Sequence, residues 1–103
     1  MDSINVFKLK ELLDTDQIKL IDVREDEEIN ICNISGSLHI PMGLIPEKAH
    51  DLNKELTYAV MCHSGVRSLY ASEYLKKSGF TVFNVEGGID SWAVNIDTEC
   101  KRY

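Results

Sequence analysis

Apolar residues recur at helical spacing at Val6, Leu9, Leu12 and Leu13, and Asn5 just before them is suited to cap a helix start. The polar run Asp14 to Gln17 ends this segment, so the pattern predicts a first amphipathic helix. Two short apolar runs bounded by polar residues, IKLIDV (Ile18 to Val23) and TYAVMC (Thr57 to Cys62), predict buried strands. His63, Ser64 and Gly65 break the pattern, after which Val66, Leu69, Tyr70, Tyr74 and Leu75 set an apolar face on a second helix closed by Gly79. TVFNV (Thr81 to Val85) then reads as another strand. Strand, tight loop, helix and strand within about 30 residues form a βαβ unit, whose crossover makes the two strands parallel. The fold class that follows is α/β. Pro41 and Pro46 bracket an irregular connection, the acids from Glu25 to Glu28 read as a solvated helix start, and Gly87-Gly88 ends the last strand before a short helical segment around IDSWAV. The closing residues TECKRY are expected at the surface.

The length of 103 residues fits one domain, residues 1–103, because independent cores usually need about 100 residues each. With 44% apolar and 27% charged residues the chain is neither disordered throughout nor built to span a membrane. The formal charge of -6 repels phosphate backbones and anionic lipid, so neither nucleic acid nor membrane is an expected partner. Cys32, Cys62 and Cys100 are an odd number without short spacing, a poor disulfide framework, and reduced thiols are expected. Cys62-His63 is the one close Cys/His pair, and adjacent residues rarely face the same ion, so no metal is expected. Neither a GxGxxG nor a phosphate-loop pattern occurs, and no cofactor is implied. The start MDSINVFKLKELL lacks the basic and apolar stretches of a secretory signal, which points to the cytoplasm.

The chemistry concentrates between Cys62, at a strand end, and Ser68, at a helix start. The carboxyl end of a parallel sheet is where α/β proteins put their sites. A loop entering a helix leaves backbone N–H groups unpaired, and turned inward they form a nest for an anion or a thiolate. Gly65 eases the bend. From Thr57 to Ser72 the only formally charged side chain is Arg67, so its field is uncompensated by nearby sequence and Cys62 sits inside it. A helix start with a neighbouring cation lowers a cysteine from its usual ~8.5 into a range of about 3.5 to 7.5. Cys62 is therefore expected to be a thiolate nucleophile rather than a small buried hydrophobe. His63 is read as loop polarity or substrate contact and not as the general base, since successive residues diverge and a thiolate supported by a dipole needs no base.

The stretch CHSGVRS (Cys62 to Ser68) resembles the active-site loop of single-domain rhodaneses, sulfurtransferases that carry sulfur as a cysteine persulfide. LIDVRE (Leu20 to Glu25), SGSLHIP (Ser35 to Pro41) and EGGIDSW (Glu86 to Trp92) resemble that family's other signatures, in its order and spacing. The resemblance spans roughly residues 4–95 and leaves 96–103 as a surface tail. It implies a single rhodanese-like domain with a mainly parallel sheet flanked by helices on both faces. It also implies attack of the Cys62 thiolate on the outer sulfur of thiosulfate or a similar donor, release of sulfite, and passage of the sulfur to a thiol, cyanide or a carrier protein. His63, Ser64, Gly65, Val66, Arg67 and Ser68 would hold the anionic donor and the persulfide through the loop amides and the guanidinium. Ser68 has two readings of equal weight, a donor to the sulfur or a helix-start residue serving the backbone.

Cys62-x4-Arg67 makes a cradle one residue shorter than the Cys-x5-Arg loop of related phosphatases and arsenate reductases, and the smaller pocket agrees with a persulfide sulfur rather than a phosphate or arsenate held around the cysteine. The competing reading from another class is a non-catalytic rhodanese-like module for protein interaction or regulation. Asp22 and Arg24 would point the same way on a strand and are supporting residues, read chiefly as a tie between strand end and helix start. Cys32, Asn33 and Ile34 stand where the family usually has Gly-His-Ile, so any role of that histidine is absent. Cys32 and Cys100 are read as packed bystanders rather than resolving thiols for Cys62. Trp92 is read as a core anchor.

Overall fold

In the computed structural model, which describes residues 2–103, Asn5 accepts the backbone N–H of Lys8 at 2.9 Å and starts the first helix as its sequence predicts. The chain runs β1 (Ser3–Ile4), α1 (Val6–Asp14), β2 (Lys19–Asp22), α2 (Asp26–Ile31), β3 (Leu38–His39), α3 (Ile45–Lys48), β4 (Thr57–Met61), α4 (Val66–Lys77), β5 (Thr81–Val85) and α5 (Gly88–Asn95). The five strands form one sheet in the order β1-β5-β4-β2-β3, and every pairing is parallel. Leu20 pairs with Ala59, Ile21 with Val60 and Asp22 with Met61, which fixes the register of the two central strands.

Strand alternation sends apolar side chains to both faces. Leu20, Ala59 and Met61 pack with Val6 and Leu9 of α1 and Ile89, Trp92 and Ala93 of α5. Ile21, Tyr58 and Val60 pack on the other face with Ile45 and Ala49 and with Ala71 and Leu75 of α4. The expected α/β fold with helices on both faces is what forms, and Trp92 is buried in the core. From β2 the chain steps outward to β3, then returns to the opposite side of β2 as β4. The strand order thus reverses between β2 and β4, the switch point at which α/β sheets place their sites, and Asp22 and Cys62 lie at the carboxyl ends of these two strands.

Three elements escape the sequence pattern, whereas α2 begins where the acids Glu25 to Glu28 predict a solvated helix start. β1 and β3 are two residues long, too short to alternate. α2 buries none of its residues, so it has no apolar period; Glu25 and Glu28 form a capping box and three acids favour its first turn. The connection between Pro41 and Pro46, expected to be irregular, forms a 3₁₀ turn (Met42–Leu44) and the start of α3, with Pro46 in the first turn where its missing N–H costs nothing.

The expectation of three reduced thiols is corrected. Cys32, at the end of α2, is disulfide-bonded to Cys100, with Cα atoms 5.5 Å apart, and Cys62 is the one free cysteine. Spacing hid the pair because 68 positions separate its members. In the chain-entropy picture, a bond closing so long a loop stabilises the fold by about 4 kcal/mol. The closing residues are exposed as expected, at Thr98, Glu99, Lys101, Arg102 and Tyr103; Cys100 is the exception, buried against the α1–α5 cluster. Among the described residues no helix is long and apolar enough to cross a membrane, and no group of His, Cys, Asp and Glu is arranged for a metal ion.

Candidate functional site

β4 delivers Cys62 to the sheet end and α4 begins four residues later, so the loop between them must reverse tightly. Gly65 makes the reversal with φ +109°, a conformation in which a side chain is strained. Its N–H then points back at Cys62 and donates to Sγ at 3.1 Å. The Cys62 thiol donates to Ser68 Oγ at 3.3 Å, Ser68 donates in turn to Asn84 Oδ1 at 2.5 Å, and Asn84 Nδ2 donates to the Gly65 carbonyl at 3.1 Å. Asn84, on β5, thereby fixes the hydroxyl and the loop turn together. Ser68 bonds the sulfur side chain to side chain, so of its two readings the hydroxyl faces the sulfur.

Burial pushes the Cys62 thiol up, but the Ser68 hydroxyl and the backbone N–H groups of Ser68, Gly65 and Ser64 outweigh it, and the thiol lies below its ordinary value. The lowering comes from the Ser68 hydroxyl first and the loop amides next, and Arg67 is not among its leading causes. An ionised Sγ can only accept, and the Ser68 hydroxyl 3.3 Å away is the side-chain donor within its reach. Ser68→Ala removes that donor, so the Cys62 pKa is expected to rise and the thiolate to appear at higher pH than in the wild type. Ultraviolet titration of the thiolate checks this; an unmoved titration would show that the amides alone hold the charge.

Arg67 departs from its sequence reading. Glu28, brought over by α2, clasps it with both oxygens, at 2.6 and 2.7 Å. The Arg67 field is therefore compensated, by a residue far away in sequence. Chiefly through the Arg67 hydrogen bonds, and against the opposing effect of burial, the Glu28 carboxyl is lowered to about 2. The same bonds hold the Arg67 guanidinium above its already high value. The paired state thus survives well into acid, since a depressed carboxylate loses its contribution only as pH falls through its folded value.

His63 is half-buried, and its ring stacks on that of Tyr103 with centroids 4.2 Å apart and planes 15° from parallel. The imidazole is thus engaged by an aromatic neighbour. Ser64 and Val66 are exposed on the outside of the loop. Asp22 and Arg24 are fully buried. Arg24 Nε and Nη2 donate to the two Asp22 oxygens at 3.0 and 2.9 Å, and Nη2 also donates to the Cys32 carbonyl at 2.7 Å. Nη1 donates to the Glu28 carbonyl at 3.2 Å and to the Tyr103 hydroxyl at 3.0 Å. One guanidinium therefore joins the end of β2 to the middle and the C-terminal end of α2 and to Tyr103.

A second helix braces the loop. At the start of α5 the N–H groups of Ile89 and Asp90 donate to the carbonyls of Cys62 and His63 at 2.9 and 3.1 Å. Gly88, with φ +55°, lies against those carbonyl oxygens so closely that a Cβ would collide with both. The glycine pair does more than end a strand; it lets a helix start close on the loop. Asn84, Glu28 and Tyr103 are the neighbours that sequence reasoning missed. Asn84 carries a faint signal, a polar residue on the buried side of TVFNV, and Glu28 another, four residues after Arg24; Tyr103 carries none.

The family model described as the rhodanese-like domain matches residues 6–95. The chain is 46% identical over 90 residues to the "Putative sulfurtransferase YtwF" of Bacillus subtilis, covering 86% of this chain and 87% of that protein. It is 39% identical over 83 residues to a sulfurtransferase of Allochromatium vinosum, covering 80% of this chain and 78% of the other. Among solved structures, a rhodanese-related protein of Thermoplasma volcanium superposes with a TM-score of 0.88 at 36% identity, over 93% of this chain and 94% of the other.

Proposed function

Since the chain belongs to the rhodanese-like family and its relatives are named sulfurtransferases, we propose that it moves sulfane sulfur from thiosulfate or a similar anionic donor, through a persulfide on Cys62, to a nucleophilic acceptor. The observation that carries this reading is a buried cysteine whose sulfur meets a backbone N–H and a serine hydroxyl inside a six-residue loop, Cys62 to Arg67.

In the first half-reaction the Cys62 thiolate attacks the outer sulfur of thiosulfate, the donor S–S bond breaks, and sulfite leaves with the electron pair. The terminal sulfur of the resulting persulfide lies among the loop amides, which replace water as donors to its charge. In the second half-reaction an acceptor nucleophile attacks that sulfur and Cys62 departs as thiolate. The acceptor is cyanide in the simplest case, and a thiol or a sulfur-carrier protein otherwise. With a chain charge of -6 and Arg67 paired to Glu28, anion capture rests on the N–H groups of Ser64, Gly65 and Ser68 more than on net positive charge. The reading assigns the protein to the cytoplasm, where small thiols and carrier proteins are available as acceptors and where the same thiols would open the Cys32–Cys100 bond.

Turnover with thiosulfate and cyanide, followed as thiocyanate and sulfite, tests the proposal. The wild type is expected to release both in equal amounts, and Cys62→Ala neither. Failure with thiosulfate, 3-mercaptopyruvate and a persulfide donor alike would favour the rhodanese-like interaction module instead.

A further inference from the structure

The residues after α5 are tied down three times within four positions. Cys100 is buried and bonded to Cys32, Arg102 grips Asp90 of α5 at 2.8 and 3.2 Å, and Tyr103 reaches the Cys62 loop. Tyr103 meets that loop directly at one end and through Glu28 at the other. Its ring covers His63 directly. Its hydroxyl donates to Glu28 at 2.6 Å while Arg24 donates to it at 3.0 Å, and Glu28 is the residue that holds Arg67. The aromatic ring thus stands as a wall beside the cradle, with the covalent bond three residues away as its anchor.

We propose that Tyr103, held in place by the Cys32–Cys100 bond, is a specificity-determining residue that admits small donors and acceptors to Cys62 and hinders bulky ones. The inference rests on Cys62 as the sulfur-bearing residue of the proposed reaction. A small anion needs only the space between the loop and the ring. A thiol carried on a protein must bring its own backbone against His63, the surface Tyr103 occupies. The anchor matters because a tethered group competes at an effective concentration set by its short linker. Without the bond, Tyr103 is held by an exposed ion pair, one stacking contact and hydrogen bonds at a part-exposed hydroxyl, which exchange readily with solvent. A dithiol opens the anchor in a balanced exchange. Its thiolate attacks the half-buried Cys32 sulfur, Cys100 leaves as thiolate, and the second thiol displaces Cys32, so that the reagent becomes the disulfide and both cysteines take up protons.

Alkylation of Cys62, the one free thiol of the oxidised protein, measures access whether or not sulfur is transferred. Iodoacetamide serves as the small probe and a polyethylene-glycol maleimide as the large one, with the modified residue located by peptide mass. In Tyr103→Ala, and in the double variant Cys32→Ser/Cys100→Ser, the large-to-small rate ratio is expected to rise about tenfold over wild type. Tyr103→Phe, which keeps the ring, is expected to stay nearer wild type. Tyr103→Ala keeps the disulfide and so remains informative if the double variant folds poorly. An unchanged ratio in Tyr103→Ala overturns the proposal. A raised ratio in a protein that never acquires sulfur from any donor supports the wall and overturns the sulfur-transfer reading.

Discussion

Arg24→Ala is expected to cost about 3–5 kcal/mol of folding free energy, because truncating one partner of a buried ion pair leaves the other charge without compensation. Asp22 and Arg24 are both fully buried, and the guanidinium also satisfies the carbonyls of Glu28 and Cys32. Its removal leaves the buried Asp22 carboxylate with only the residue-24 backbone N–H as donor and takes a hydrogen bond from each of two carbonyls. For a domain with about 5–15 kcal/mol in total, a loss of this size moves the urea midpoint far to the left. The double variant Asp22→Asn/Arg24→Met is expected to recover much of it, since replacing both partners removes the orphaned charge. A midpoint unmoved in Arg24→Ala would mean that water reaches Asp22 and that the pair is no tighter than a surface contact.

Gly88→Ala is expected to reduce sulfur transfer by about 10²-fold or more, the loss typical of a reacting group displaced by about an ångström. The added Cβ meets the Cys62 and His63 carbonyl oxygens, which are backbone atoms and cannot swing aside like a side chain. Either α5 withdraws and gives up the Ile89 and Asp90 hydrogen bonds, or the Cys62 loop shifts and misaims its amides. The residue also sits at φ +55°, where alanine costs roughly 1–2 kcal/mol more than glycine. Activity and thermal midpoint should therefore fall together, and full activity in this variant would show that the brace from α5 is dispensable.

What the sequence made legible follows from range. Cys62, Gly65, Arg67 and Ser68 lie on one continuous stretch whose strand, turn and helix are dictated locally, so the cradle could be read before the fold was known. The central strands were legible because both of their faces are buried and their apolar runs are unbroken. Glu28 on Arg67, Asn84 on Ser68 and Tyr103 on His63 are contacts between 16 and 40 positions apart, made only when the sheet assembles. Cys32 and Cys100 meet for the same reason, through α2 and the turn after α5. The guanidinium was thus foreseen but its partner was not. Thiolate stabilisation consequently falls to the amides and Ser68 more than to Arg67.

The most direct measurement of the central claim is the intact mass of the protein before and after incubation with thiosulfate, with Cys62→Ala alongside and sulfite assayed in the same samples. The account predicts a gain of one sulfur atom on the wild type, reversed by a thiol reductant, matched by released sulfite and absent from the variant. A sulfur adduct that persists in Cys62→Ala, or sulfite released without an adduct on Cys62, would contradict it.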